Sequence, residues 1–248
     1  MSQVPPRNSA LADRRVVVIG GTKGIGFATA EAAVAEGAEV VVASRDAARV
    51  AGAVERLGAK APGARASGAS LDIADAEAVA RFFGQIGPFD HLVTTAAHVV
   101  RKPLLEADLA EARASFDSKF WGQVNAVRSG APLIRAGGSI VLVSGISSRR
   151  GIGTMAFPAA INGAVEALAR SLAISLAPIR VNAVSPGYID TPGHGGPERA
   201  ATLAKVAAAI PAGRPGRPEE VAQAILYLLT NPFSTGTVLD IDGGHLAA

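Results

Sequence analysis

The stretch VVVIGGTKGIGFATAEAAVAEG, residues 16–37, runs from a β-branched strand through a glycine-rich turn into an alanine-rich helix. Gly20, Gly24 and Gly26 permit a tight turn, let backbone approach a diphosphate, and let the helix pack close to the sheet. The helix N-terminus then offers unpaired N–H groups and a partial positive charge. Because a strand precedes the turn and a helix follows it, the segment predicts a dinucleotide-binding loop with Gly-x3-Gly-x-Gly spacing.

Short apolar runs alternate with helical patterns along the rest of the chain. Most runs are almost continuously apolar, as strands covered on both faces must be. This alternation predicts an α/β fold: a single Rossmann-type, doubly wound parallel sheet of about seven strands, with helices on both faces. The predicted strands are 15–20, 39–44, 66–71, 90–95, 139–144, 179–185 and 237–241, and the predicted helices are 24–36, 46–57, 75–86, 106–133, 155–177 and 218–229.

No linker or change of composition divides the chain, so residues 1–248 are predicted to form one domain. Residues 1–10 are polar and contain proline, and we expect a flexible tail there. The Gly/Pro-rich segment 186–200 follows the carboxyl end of a predicted strand, where open α/β sheets bind ligands. Residues 186–210 are therefore predicted to form a substrate lid, with a plain surface loop as the alternative.

The amino-acid composition excludes some classes of partner and binding site. Charged residues make up 18% of the chain, the net charge is +3, and the basic residues are scattered, so we expect neither a nucleic-acid nor a membrane partner. The absence of cysteine excludes disulfides and thiolate metal sites and suits a cytoplasmic protein. No metal site is predicted. A small-molecule substrate is the expected partner.

The end of the second predicted strand indicates which dinucleotide is bound. Ser44 and Arg45 stand where an NAD-binding protein needs a carboxylate to accept from the ribose 2′-hydroxyl, and Lys23 adds a cation from the glycine turn. Two cations, a hydroxyl and no acid predict NADP(H), although Arg45 also fits a surface position at a helix start. Asp72 is predicted to accept from the adenine amino group; the alternative is a helix N-cap, a role that Asp75 fills better.

Five motifs in order resemble the short-chain dehydrogenase/reductase family, and the resemblance covers nearly the whole chain. They are the cofactor turn GGTKGIG (20–26), LDIAD (71–75), TTAA (94–97), IRVNAVSPGYIDTP (179–192) and TGTVLDIDGGHL (235–246). The resemblance implies a nicotinamide-dependent oxidoreductase.

The same resemblance implies a homotetramer or homodimer built on the predicted helices 106–133 and 155–177 and on the C-terminal strand. Together with the glycine turn, it assigns the cofactor to Gly20, Thr22, Lys23, Gly24, Ile25, Gly26, Ser44, Arg45, Asp72, Ile73, Ala96, Pro186, Gly187, Ile189 and Thr191.

The chain differs from the family pattern at the positions of the catalytic residues. Family enzymes use a tyrosine as proton donor, a lysine that lowers its pKa, a serine that holds the carbonyl oxygen, and an asparagine on the preceding long helix. Alignment of residues 139–168 on that pattern puts Gly145 at the serine, Pro158 at the tyrosine and Asn162 at the lysine, while Lys119 stands at the asparagine. Proline has no proton to donate, so the usual acid is absent.

Three functions remain open. The first is an NADP(H)-dependent oxidoreductase acting on a carbonyl or activated double bond of a small, mainly apolar substrate, with a non-standard proton donor. The second is a non-redox isomerase, cyclase or eliminase on the same scaffold, and the third is a catalytically silent NADP-binding protein. The candidate catalytic residues are Lys119, Ser144 and Tyr188, with Ser147 and His98 as further donors, and the predicted substrate pocket includes His98, Val99, Ile146 and Phe157; each polar residue among them also fits an ordinary structural role.

Overall fold

The protein folds around one seven-stranded parallel sheet with the strand order β3-β2-β1-β4-β5-β6-β7. The computed structural model describes residues 10–60, 63–191 and 199–248. The order reverses between β1 and β4, which opens a crevice at the carboxyl ends of these strands. The predicted fold class is confirmed. The strands are β1 Arg15–Ile19, β2 Glu39–Ser44, β3 Arg65–Ser70, β4 Phe89–Thr94, β5 Ile134–Val143, β6 Arg180–Pro186 and β7 Val238–Ile241.

Helices cover both faces of this sheet. The helices are α1 Gly24–Ala35, α2 Ala47–Gly58, α3 Ala76–Ile86, α4 Leu109–Phe116, α5 Gly122–Gly130, α6 Ala156–Ser175, α7 Arg199–Ala209 and α8 Pro218–Thr230. One apolar cluster joins the sheet to α1, α2 and α8, and the other joins it to α3, α5 and α6. Along β1, Val16 and Val18 belong to the first cluster, whereas Val17 and Ile19 belong to the second. This alternation explains why the strand sequences are apolar throughout.

The predicted helix 106–133 is interrupted in the structure. A π-helical turn, Asp117–Trp121, separates α4 from α5, and the Gly122 N–H bonds to the Asp117 carbonyl five residues back. A π-turn inserts one residue into the α-helical repeat and is common at functional sites. Strand β5 begins at Ile134, five residues earlier than predicted, and follows the short 3₁₀ turn Ala131–Leu133.

Part of the predicted lid is helical. Residues 199–209 form α7, and the alanine-rich sequence of this segment explains why it does so. Residues 192–198 of the predicted lid and residues 1–9 of the predicted tail lie outside the described residues. Within the described ranges, no helix is long and apolar enough to span a membrane.

Candidate functional site

The glycine turn between β1 and α1 has no room for side chains. Gly20 has φ +91°, and a Cβ there would lie 2.5 Å from the backbone nitrogen of Ala96. A Cβ on Gly26 would lie 2.8 Å from the carbonyl carbon of Gly20 and even closer to its oxygen. Gly24 also has a positive φ, +52°, at the first residue of α1. Because side chains are absent at Gly20, Gly24 and Gly26, the backbone forms a concave surface at the helix N-terminus, here called the glycine cradle. This surface fits a diphosphate.

A cavity of about 930 Å³ extends from this turn along the carboxyl ends of the strands. Residues from the glycine turn, from the ends of β2, β4, β5 and β6, and from α6 form its wall. Every residue assigned to the cofactor from the sequence lies on this wall, as do Lys119, Ser144, Tyr188, Val99 and Ile146. The structure therefore brings the candidate binding and catalytic residues into one space.

The end of the cavity beside β2 is cationic. Lys23 and Arg45 are exposed on its wall, and the Ser44 hydroxyl accepts from Thr22 Oγ1 at 3.3 Å. Sequence reasoning missed Arg49, which also lines the cavity and pairs through its Nε with Asp46 Oδ2 at 3.1 Å. Arg45 precedes the α2 N-cap Asp46, and Arg49 lies in the first turn of α2, so a second basic residue just inside the predicted helix was an available signal.

Asp72 lies on the cavity wall beyond β3, and its Oδ1 accepts from the Ala74 N–H at 3.0 Å. The N-cap of α3 is Asp75, whose side chain accepts from the Ala78 N–H at 2.9 Å. Asp72 is thus not the helix cap, and its exposed carboxylate remains the candidate for the adenine contact.

Lys119 projects from the π-turn into the opposite end of the cavity. Its side chain is 9% exposed, and Nζ donates to Asn162 Oδ1 at 2.6 Å and to the Ser144 carbonyl at 2.9 Å. Both acceptors are neutral. Burial, and to a smaller extent the charge of Arg101, lower the pKa of Lys119 from 10.5 to about 8. A lysine with this pKa exchanges its proton near neutral pH.

Asn162 accepts a hydrogen bond from Lys119, and its side-chain amide leaves no space for a side chain at position 145. This asparagine is 4% exposed, and its Nδ2 donates to Ser147 Oγ at 2.9 Å. A Cβ on Gly145 would lie 2.9 Å from the same Nδ2. Gly145 is extended and needs no special backbone conformation, so steric contact with the amide is what favours glycine here.

Pro158 lies buried on the cavity wall, in the first turn of α6. The first four N–H groups of a helix have no partner within the helix, so a proline here removes no helical hydrogen bond. Proline as the third residue of α6 therefore costs no backbone hydrogen bond.

The hydroxyl of Ser144 is directed to a buried carboxylate behind the cavity wall. It donates to Glu166 Oε1 at 3.1 Å or to the Val184 carbonyl at 3.2 Å, and Ser148 also donates to Glu166, at 2.6 Å. Arg149 Nε lies 3.6 Å from Glu166 Oε2. Ser144 thus contributes to the Lys119 environment through its backbone carbonyl.

The first residues after β6 are held in place by backbone hydrogen bonds and an ion pair. Tyr188 is half-buried on the cavity wall, and its carbonyl accepts from the Gly216 N–H at 2.9 Å. The Asp190 N–H donates to the Gly216 carbonyl at 2.8 Å, and the Asp190 carboxylate pairs with Arg199 of α7. The beginning of the predicted lid is therefore anchored.

Two predicted pocket residues lie elsewhere. Neither His98 nor Phe157 is among the described residues of the cavity wall: His98 is exposed and donates its N–H to Ser118 Oγ at 3.1 Å. Sequence reasoning missed Arg101 and His245, which do line the cavity. His245 follows β7 and reaches the cavity because Gly243 and Gly244 have positive φ and turn the chain back. The described residues contain no group of three or more His, Asp or Glu side chains that could hold a metal.

Comparisons with known proteins agree with this geometry. Residues 20–245 match the family described as enoyl-(acyl carrier protein) reductase. The cis-4-hydroxycyclohexanecarboxylate dehydrogenase of Sinomonas cyclohexanicum is 38% identical over 249 residues, covering 96% of this chain and 98% of the relative.

Two solved structures are similar over nearly the full length. One, a small-chain dehydrogenase in complex with NADPH, is 35% identical with a TM-score of 0.80, covering 95% of this chain and all of that chain. The other, the MalC reductase/Diels-Alderase of Malbranchea aurantiaca, is 28% identical with a TM-score of 0.91, covering 98% of this chain and all of that chain. With its parallel sheet, glycine cradle and full-length relatives, this chain belongs to the short-chain dehydrogenase/reductase family of oxidoreductases.

Proposed function

We propose that the protein is an NADP(H)-dependent oxidoreductase that reduces a carbonyl or activated double bond of a small, mainly apolar substrate, with Lys119 as proton donor. The observation that carries this proposal is the buried Lys119 ammonium, held by Asn162 and the Ser144 carbonyl on the cavity wall. Apolar side chains such as Val99, Ile146 and Pro158 line the same end of the cavity.

The choice of NADP(H) rests on charge. Lys23, Arg45 and Arg49 lie along the cavity near the end of β2, where a ribose 2′-phosphate would bind, and Ser44 adds a hydroxyl. A structural relative is described in complex with NADPH, which supports the same cofactor here. Dissociation constants of NADPH and NADH test this choice. We expect Arg45→Gln to weaken NADPH binding and leave NADH binding unchanged; a preference of the wild type for NADH would contradict it.

The assignment of Lys119 as proton donor is supported by comparison with the other positions that could supply a proton. We infer that Gly145, Pro158 and Asn162 replace the family serine, tyrosine and lysine, so that no phenol occupies the usual place. The Ser144 hydroxyl bonds to Glu166 or Val184. The amine of Lys119 is buried on the wall and has a pKa of about 8, near the operating pH that suits a general acid.

In this mechanism the residues of the chain have separate tasks. The glycine cradle positions the dinucleotide, which supplies a hydride when it is bound as NADPH. The apolar wall excludes water from the substrate. Lys119 Nζ donates a proton to the developing oxyanion or carbanion, and Asn162 Oδ1 keeps the ammonium directed at the cavity. Lys119 then regains a proton from solvent.

Single-turnover oxidation of NADPH across carbonyl and enone panels, with product mass spectrometry, tests the activity. We expect Lys119→Met to lower the rate by about 10²–10⁴-fold, as loss of one acid typically does. Tyr188→Phe is the matched control, because Tyr188 lines the same cavity, and it should retain the rate. Loss of rate in Tyr188→Phe with none in Lys119→Met would refute the assignment.

The pH profile separates catalysis by Lys119 from a structural role. Because the acid must be protonated, the rate should fall as the pH rises through the Lys119 pKa of about 8. Asn162→Asp places a carboxylate beside the ammonium and should move this fall upward by about 1–3 pH units. An unchanged profile in Asn162→Asp would show that another group donates the proton.

A second function has one specific observation in its favour. The MalC structure, described as a reductase/Diels-Alderase, is similar over nearly the whole of both chains. A cyclisation without redox change would use the same cavity to hold a reactive conformer. Product formation without loss of the nicotinamide absorbance would establish this function, whereas tight NADPH binding without any product would indicate a silent binding protein.

A further inference from the structure

Ser147 lies in a short 3₁₀ turn, Ile146–Ser148, between β5 and α6. It is 5% exposed, and it lines the cavity. The next residue, Ser148, has different surroundings: its hydroxyl donates to Glu166 at 2.6 Å or to the Gly145 carbonyl at 3.1 Å, and it is not among the described wall residues. Of two adjacent serines, therefore, one lies on the cavity wall and the other contacts the buried carboxylate behind it.

The Asn162 amide determines how the Ser147 hydroxyl is used. An ammonium group donates hydrogen bonds and cannot accept them, so the bond from Lys119 Nζ fixes Oδ1 of Asn162 toward the lysine. Nδ2 of the same amide lies 2.9 Å from Ser147 Oγ, and an amide N–H can only donate. The serine oxygen is therefore the acceptor in this contact, and the hydroxyl hydrogen takes no part in it.

The hydroxyl hydrogen of Ser147 has no acceptor within the ranges of the chain that the structure describes. A buried donor without a partner is unfavourable, and such groups in folded proteins are normally satisfied by the protein, by ordered water or by a ligand. Because Ser147 lines the cavity, a molecule bound there can supply the acceptor and displace any water from it.

The cavity wall thus offers two hydrogen-bond donors on the two sides of one amide. Lys119 uses two of its three hydrogens on Asn162 and on the Ser144 carbonyl, and the third remains for a ligand. Ser147 adds a neutral donor. Preorganised donors in a site without bulk water stabilise negative charge that develops on an oxygen, and the two lone pairs of a carbonyl oxygen can accept from two donors.

We propose that Ser147 is a catalytic residue that donates a hydrogen bond to the carbonyl oxygen of the substrate while Lys119 supplies the proton. The inference rests on the proposed function and narrows its substrate class to ketones and aldehydes. The carbonyl carbon receives the hydride, the oxygen becomes an alkoxide and takes the proton of Lys119, and Ser147 keeps its own hydrogen throughout.

Infrared spectroscopy of acetophenone with a ¹³C-labelled carbonyl group, bound to the protein saturated with NADP⁺, tests the inference. A hydrogen bond to the carbonyl oxygen lowers its stretching frequency, so the band should lie lower in wild type than in Ser147→Ala. Ser147→Cys keeps the shape but donates weakly, so its band should lie between these two, and it decides the test if the alanine variant does not fold. Ser148→Ala is the matched control and should keep the wild-type band, because Ser148 is not among the described wall residues.

The rate of reduction is the second readout. Loss of one oxyanion donor typically lowers kcat by about 10²–10³-fold, so Ser147→Ala should lower the single-turnover rate on ketones by that factor. The remaining rate should still fall as the pH rises through about 8, because Lys119 keeps its bond to the Ser144 carbonyl.

The inference is overturned if wild type shows no bound carbonyl band, if neither Ser147→Ala nor Ser147→Cys moves the band, or if Ser148→Ala moves it as far as Ser147→Ala does. The spectra need no turnover. A band that depends on Ser147 without any reduction refutes only the proposed function, and reduction with a rate and a band that do not depend on Ser147 refutes only this inference.

Discussion

Replacing Gly145 by alanine tests how tightly the site is built around Asn162. The new Cβ would lie 2.9 Å from Nδ2 of Asn162, whereas ordinary non-bonded contacts are about 3.5–4.0 Å, so one group must move by roughly half an ångström or more. The amide cannot move freely, because its oxygen is 2.6 Å from Lys119 Nζ and its nitrogen is 2.9 Å from Ser147 Oγ. Overpacking of this kind costs about 1–3 kcal/mol of the free energy of unfolding.

A double-mutant cycle measures the contact itself. In the Asn162→Ala background the amide is absent, so Gly145→Ala should reduce the free energy of unfolding much less than it does in wild type. The coupling energy between the two substitutions should be about 1 kcal/mol or more. Urea denaturation followed by circular dichroism gives the four free energies. Gly163→Ala is the matched control, because a Cβ there has nothing within 4 Å. Additive effects, or equal effects of Gly145→Ala and Gly163→Ala, would refute the steric reasoning.

Two further predictions concern stability and binding. His91 is 5% exposed, and burial lowers its pKa from 6.5 to about 4, so the unfolded chain takes up the proton first as the pH falls. The free energy of unfolding should therefore decrease as the pH falls from 6.5 to 4. By pH 5 the decrease should be about 2 kcal/mol. His91→Gln should flatten this dependence in denaturation experiments; equal pH slopes would contradict the assignment. Gly26→Ala should weaken NADPH binding by about tenfold or more, because the Cβ would overlap the Gly20 backbone. Gly52→Ala, with nothing within 4 Å, should bind normally.

Local sequence patterns predicted the fold well because each pattern has a local physical cause. The β-branched runs become strands buried on both faces, and glycine positions 20, 24 and 26 form the cradle. The π-turn at Lys119 and helix α7 were missed. A π-turn has no signature in helical periodicity, and the Gly/Pro-rich residues before α7 obscured an alanine-rich segment with high helix propensity.

The candidate site was predictable as a set of wall residues but not as a set of contacts. Lys119 and Asn162 are 43 positions apart on different helices, so no spacing rule brings their side chains together. The direction of the Ser144 hydroxyl depends on Glu166, which only the packing of α6 against β5 reveals. His245 was missed because a turn after β7, rather than a strand end, brings it to the cavity.

Under the proposed assignment of Lys119, Gly145, Pro158 and Asn162, the contact between Lys119 and Asn162 limits the order in which an engineer could convert this site to the ordinary tyrosine-dependent type. Introducing lysine at 162 first would crowd two ammonium groups into one poorly hydrated space, and introducing asparagine at 119 first would leave that space without a cation. Serine at 145 would meet the amide until residue 162 had changed. Conversion therefore requires simultaneous replacement at these three positions, together with tyrosine in place of Pro158, and single-step libraries should pass through inactive or unstable proteins.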